Sequence, residues 1–127
     1  MSDADGLTLY QRVGGTGWFT DLVARFYDGV ESDPVLRPLY PEDLDGPRER
    51  LTGFLIQYWG GPADYSAERG HPRLRMRHFP FAIGPAERDA WYRLMAEAVR
   101  HVGAPPDDEA RLLAYFSDTT TFLVNHA

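Results

Sequence analysis

Proline and glycine cut this chain into short runs, and within each run the apolar residues return at helical spacing. Residues 16–30 place Phe19, Leu22, Val23, Phe26, Tyr27 and Val30 on one helix face, with Thr16 as the expected N-cap. Asp33-Pro34 opens a short helical segment carrying Val35, Leu36, Leu39 and Tyr40, closed at Pro41, whose ring lacks the donor the next turn needs. From Pro47 to Trp59 the positions Leu51, Phe54, Leu55 and Tyr58 repeat again, until Gly60-Gly61-Pro62 ends the helix. Residues 60–71 show no periodicity and are expected to form a loop, ordered by Tyr65. His71-Pro72 restarts a short helix, PRLRMRH. Its last turn holds His78, because the residue before Pro80 is driven toward extended geometry. Gly84-Pro85 opens a longer helix with Trp91, Leu94, Met95, Ala98, Val99 and Val102 in one stripe and Gly103 as a left-handed cap. The last helix, from Asp107 to near Asn125, repeats Leu112, Phe116, Thr119, Thr120 and Leu123 behind an acidic first turn. Nothing alternates with period two between hairpin signals, so the expected class is all-α.

A chain of 127 residues is expected to form one domain over 1–127. Aromatic residues make up 13% of it, more flat side chains than a small helical core needs, which suggests a core lining a cavity or a planar group. The net charge of −6 would repel a phosphate backbone and argues against nucleic acid as a partner. With no cysteine there is no disulfide, no thiolate nucleophile and no cysteine-based zinc or iron–sulfur site. A metal would have to rely on histidine, carboxylate or phenolate. The acidic start MSDADGLTLY and the lack of a long apolar run give the expectation of a cytoplasmic protein that does not enter a membrane.

Four histidines are candidates for metal or acid–base chemistry. His126 near the C-terminus and His101 beside Arg100 read as solvated surface, and His71 before Pro72 reads as a helix cap. His78 differs, since Leu74, Met76, Phe79 and Phe81 surround it in sequence and suggest an imidazole facing apolar space. A backbone carbonyl such as that of Leu74 can accept from Nδ1–H and leave Nε2 free as a ligand. One histidine cannot hold a bare zinc ion, and no partner histidine or di-iron pattern accompanies it. The metal would have to arrive with its other ligands, as iron does in haem.

The run QYWGGPADYSAERGHPRLRMRHFPFAIGPAERDAWYRLM, from Gln57 to Met95, resembles the most distinctive stretch of the bacterial group II truncated haemoglobins. The resemblance extends upstream through Val13-Gly14-Gly15, RFYDGV at 25–30 and DPVLRPLYPED at 33–43, and leaves only roughly 103–127 undistinguished. It implies a truncated globin fold, a two-over-two helical sandwich around haem b (iron protoporphyrin IX).

Carried across the matching motifs, the resemblance makes His78 the iron ligand, in agreement with the reading from its surroundings. Tyr27, Tyr40 and Trp91 become the polar residues facing a diatomic ligand, and Leu51 and Phe54 the apolar contacts on that side. Arg50, Tyr58, Tyr65, His71 and Arg77 match positions near the haem edge. Pro47 stands where other globins carry a distal histidine, so none is expected. Apart from the family, Tyr27 and Trp91 read first as core aromatics on an apolar stripe, although a buried phenol or indole still needs a partner for its proton.

The function implied is binding of dioxygen, with other diatomic ligands or peroxide, at a five-coordinate iron. Several donors around one ligand slow its release, which favours redox chemistry or sensing on oxygen, nitric oxide or peroxide. Reversible oxygen storage or transport is the alternative. Peroxidase-like or nitric-oxide-dioxygenase-like turnover would need an external reductase, because no Gly-rich phosphate loop marks a flavin or nicotinamide site. Whether the chain forms a homo-oligomer stays open.

Overall fold

The computed structural model describes residues 6–69, 78 and 81–125, with backbone alone at 67–69. Among them are α1 (Leu9–Val13), α2 (Thr16–Ser32), a 3-10 turn (Arg37–Leu39), α3 (Asp45–Tyr58), α4 (Asp64–Arg69), α5 (Pro85–Val102) and α6 (Pro106–Leu123). No strand occurs among the described residues, in keeping with the all-α expectation. The expected helix from His71 to Arg77 lies outside them, and His78 has helical backbone.

The first helix is an addition to the sequence reading. Thr8 and Gln11 form a capping box at its start, each side chain meeting the other's backbone N–H. Gly14 and Gly15, at φ of +119° and +84°, turn the chain directly into α2. Gly15 is therefore the N-cap of α2, and Thr16 is its first residue, with its hydroxyl 2.6 Å from that of Tyr10. The stretch from 33 to 40 forms turns and a single 3-10 turn in place of the expected helical segment.

Residues 64–69 are helical where a loop was expected. DYSAER has no apolar face to reveal itself by period, and six residues cannot hold a helix alone. Gln57 supplies the order from α3. Its Oε1 accepts from the Ser66 N–H at 2.8 Å and its Nε2 donates to the Ser66 hydroxyl at 2.7 Å. Gly103 has the expected positive φ, but its ψ of 137° leads into extended chain, not a left-handed turn. Its carbonyl accepts from the Trp18 indole at 2.8 Å, tying the end of α5 to α2.

Helix α2 buries Phe19, Leu22, Val23, Phe26, Tyr27 and Val30, the stripe read from sequence, and adds Trp18. It packs against α5 and α3, α5 packs against α6, and α3 against α4. Each such side chain contributes about 1.5–3 kcal/mol through removal from water. Where α2 crosses α5, a Cβ on Gly29 would stand 2.8 Å from Leu94 Cδ2, so the missing side chain lets the helices approach. The N-terminal segment is held at two points. Tyr10 N–H donates to the Trp59 carbonyl at 3.0 Å, and Arg12 grips the buried Asp108 through Nε and Nη2 at 2.7–3.1 Å.

Candidate functional site

The main helices enclose a cavity of about 470 Å³. Every described element except α1 contributes to its wall: Tyr27 from α2, Tyr40 after the 3-10 turn, Leu51 and Phe54 from α3, Tyr65 from α4, Trp91 from α5 and Thr119 and Thr120 from α6. His78 lines the same cavity, as do Phe81 and Ile83 just after it.

Phe26, fully buried, fixes two of the polar aromatics. Its ring meets Tyr27 edge-on at 5.0 Å between centroids and lies 4.8 Å from Trp91. Tyr40 completes the cluster at 5.5 Å from Tyr27, with the rings 88° apart. The backbone around Tyr40 is held by Arg37, whose guanidinium donates to the carbonyls of Tyr40, Pro41 and Glu42 at 3.3, 3.0 and 2.9 Å. Asp33 braces the preceding turn. Its carboxylate accepts from the N–H groups of Val35 and Leu36, both at 2.9 Å, and from Arg93 of α5 at 2.9 Å.

Burial pushes the Tyr27 phenol far above its ordinary acidity range, and Tyr40 raises it further, while Arg50 and Arg48 pull it down. Burial also raises Tyr40, against hydrogen bonding from Trp91 and Tyr27 that lowers it. The Trp91 indole N–H, a donor only, donates to the Tyr40 oxygen, the Tyr27 and Tyr40 hydroxyls pair with each other, and burial keeps both phenols protonated at neutral pH. Two neutral phenols that share one hydrogen bond keep one O–H donor for a guest, which suits a ligand carrying negative charge.

Of the residues singled out in the sequence, Tyr27, Tyr40, Trp91, His78, Leu51, Phe54, Arg50 and Tyr65 border this one cavity. Pro47, buried, borders it too. Arg50 is exposed as well as lining, so it stands at the mouth. Tyr58 does not line the cavity. It is 46% exposed and packs 4.3 Å from the ring of Tyr115, which does. His71 and Arg77 lie outside the described residues.

The wall from α6 and the start of α5 was missed. Tyr115, Thr119, Thr120, Glu87 and Arg88 all reach the cavity. Thr119 and Thr120 were visible in the apolar stripe of the last helix, where threonine among Leu112, Phe116 and Leu123 signals a polar group turned inward. Arg88, one turn before Trp91, is tethered to α6 through the Ser117 hydroxyl at 2.8 Å. Nothing in its sequence neighbourhood announces that contact.

The residues fit haem. Walls of aliphatic and aromatic side chains suit a flat apolar macrocycle, a single imidazole can ligate iron, and a cation at the mouth suits a carboxylate edge. Among the described residues no three histidine, aspartate or glutamate side chains gather as a bare metal site would require.

Comparison with known proteins agrees with this geometry. The family model for bacterial-like globins matches residues 8–125. A group 2 truncated haemoglobin, YjbI of Bacillus subtilis, is 40% identical over 111 residues, 87% of this chain and 84% of that protein. A thermostable haemoglobin from Thermobifida fusca superposes with a TM-score of 0.92 at 52% identity, covering 94% of this chain and 98% of the other. A truncated oxygen-avid haemoglobin from Bacillus subtilis superposes with a TM-score of 0.89 at 38% identity, covering 94% and 100%. The chain belongs to the bacterial-like globin family, as a group II truncated haemoglobin with the two-over-two fold.

Proposed function

We propose that the cavity holds haem with His78 as the iron ligand, and that the protein retains oxygen or a related small ligand for redox chemistry or sensing. One observation carries this reading: His78 and the Tyr27, Tyr40 and Trp91 cluster border the same cavity. Haem supplies an iron centre that binds diatomic molecules and exchanges electrons with them. The chain supplies everything that discriminates among them.

Leu51 and Phe54 exclude water from the ligand side, and Pro47 offers no side-chain donor there. Tyr40 receives a hydrogen bond from Trp91 and shares one with Tyr27, so the two phenols keep one O–H between them to point at a guest. A donor of this kind strengthens the hold on a partly negative ligand by about 1–3 kcal/mol, and each 1.4 kcal/mol is tenfold in affinity, most of it expressed in the rate of release. Arg50 at the mouth would pair with a haem carboxylate. A pocket that grips its ligand in this way is poorly suited to delivery, and the oxygen-avid relative from Bacillus subtilis points the same way.

The test is an absorption spectrum of the protein supplied with haem, followed by the oxygen dissociation rate of the ferrous form. Haem uptake with slow release supports the reading. Fast release would favour storage or transport, and a protein that stays colourless would overturn haem binding altogether.

A further inference from the structure

Asn125 stands two residues past the end of α6, in the part of the chain that the family resemblance left undistinguished. It bonds to the backbone that follows His78, more than forty residues away in sequence. The Asn125 N–H donates to the Ile83 carbonyl at 2.9 Å, and its Oδ1 accepts from the Ile83 N–H at 2.9 Å. Its Nδ2 donates to the Phe81 carbonyl at 2.9 Å and lies 3.4 Å from the His78 carbonyl.

An asparagine is suited to this because one planar amide offers an acceptor on one side and two donors on the other. Both backbone groups of Ile83 are satisfied by one residue, as they would be by a neighbouring strand. The Phe81 N–H donates back to the His78 carbonyl at 3.0 Å, so Phe81 is tied to His78 as well as to the residue that follows α6. At the far end, Gly84 N–H donates to Glu87 Oε1 at 2.7 Å, which anchors the segment to the first turn of α5. Phe81 and Ile83 line the cavity beside His78, so this fastening sets a stretch of its wall.

We propose that Asn125 is a positioning residue for the iron ligand: by clamping Phe81 and Ile83 to the chain just past α6, it fixes the backbone carbonyl of His78 and how its imidazole stands in the cavity. This rests on the proposed role of His78. Orientation of a metal-ligating imidazole by the groups behind it tunes the bond it makes, so the clamp has a readout at the metal as well as in stability.

The experiment compares the haem-loaded parent with Asn125→Asp and Asn125→Ala. Asn125→Asp keeps an acceptor for the Ile83 N–H but turns an oxygen toward the Phe81 and His78 carbonyls. Asn125→Ala removes both halves of the amide. The Asn125 backbone bond to Ile83 is available in both variants, which leaves the fold an anchor. The measurements are the iron–histidine stretching band of the ferrous, ligand-free form by resonance Raman, haem loss to excess apomyoglobin, and Tm. Both variants are expected to shift the band and to lose haem about tenfold faster, the factor that one lost hydrogen bond produces. Variants that melt earlier but keep the parent's band and rate of haem loss would overturn the proposal, leaving Asn125 as a helix-end fastening. An iron–histidine band that is missing from the parent, or retained in His78→Ala, would instead overturn the role of His78 and remove this proposal with it.

Discussion

Tyr27 and Tyr40 meet edge to face, their ring centroids 5.5 Å apart and their planes 88° from each other, with their hydroxyls paired. Each phenol thereby orients the other, and the Trp91 indole N–H orients Tyr40 from α5. Tyr40 and Trp91 should accordingly govern ligand release. Tyr40→Phe and Trp91→Phe are each expected to accelerate oxygen dissociation from the ferrous protein by about tenfold or more, as read by stopped-flow replacement with carbon monoxide. Rates unchanged in both would sink the retaining role of the cluster.

Arg37 holds the backbone at Tyr40 through the carbonyls of Tyr40, Pro41 and Glu42 and does not line the cavity itself. Arg37→Ala should cost about 1.5–3 kcal/mol in chemical denaturation, because these bonds involve a charged donor. It should also raise the oxygen dissociation rate severalfold by loosening Tyr40. A stability loss with no kinetic change would mean that Tyr40 is held by its ring contacts alone.

The Asp33 carboxyl is held below its ordinary value of 3.8, first by the Leu36 N–H, with those of Val35 and the Arg93 guanidinium adding and burial opposing. The fold favours the charged form. Its contribution is complete above the ordinary carboxylate range and is lost as pH falls through the lower, folded value. Asp33→Asn should therefore be less stable than the parent at neutral pH. The gap should narrow on acidification below about pH 4, which parallel denaturation curves would show. A gap independent of pH would assign the effect to the backbone turn and not to charge.

Tyr115 is pushed up to about 12 by burial and by the neighbouring Tyr58, with hydrogen bonding to Thr119 opposing. Here the neutral form is favoured, so the contribution is complete below the ordinary phenol value of 10.0 and is lost as pH climbs toward 12. Phenolate absorbance in an alkaline titration should show a late step that Tyr115→Phe removes. Persistence of that step would assign it to another tyrosine.

Gly60 has a φ of +100°, and a Cβ there would stand 2.5 Å from Thr8 Cβ. Gly60→Ala therefore meets both backbone strain and a collision with the segment leading into α1, and should lower stability by about 2 kcal/mol or more. Gly14, also at positive φ but with open space around it, offers the control: Gly14→Ala should pay for strain alone and lose less.

What the sequence determined by itself was whatever depends on short-range repetition. The stripe Phe19, Leu22, Val23, Phe26, Tyr27 and Val30 is buried as a helix face because spacing of three and four is a property of the chain before it folds. Gly84-Pro85 starts α5 for an equally local reason. The family motifs further singled out nine described residues, His78 and Tyr40 among them, that the fold gathers around one cavity. The tertiary structure decided everything that depends on partners far along the chain. α4 exists because Gln57 reaches Ser66, and α1 is fastened because Arg12 finds Asp108. Thr119 and Thr120 face the cavity because α6 packs on α5, and Asn125 meets Ile83 because the end of α6 arrives beside it. A hydrogen bond across forty residues leaves no period in the sequence, since its geometry comes into being only when the helices have packed.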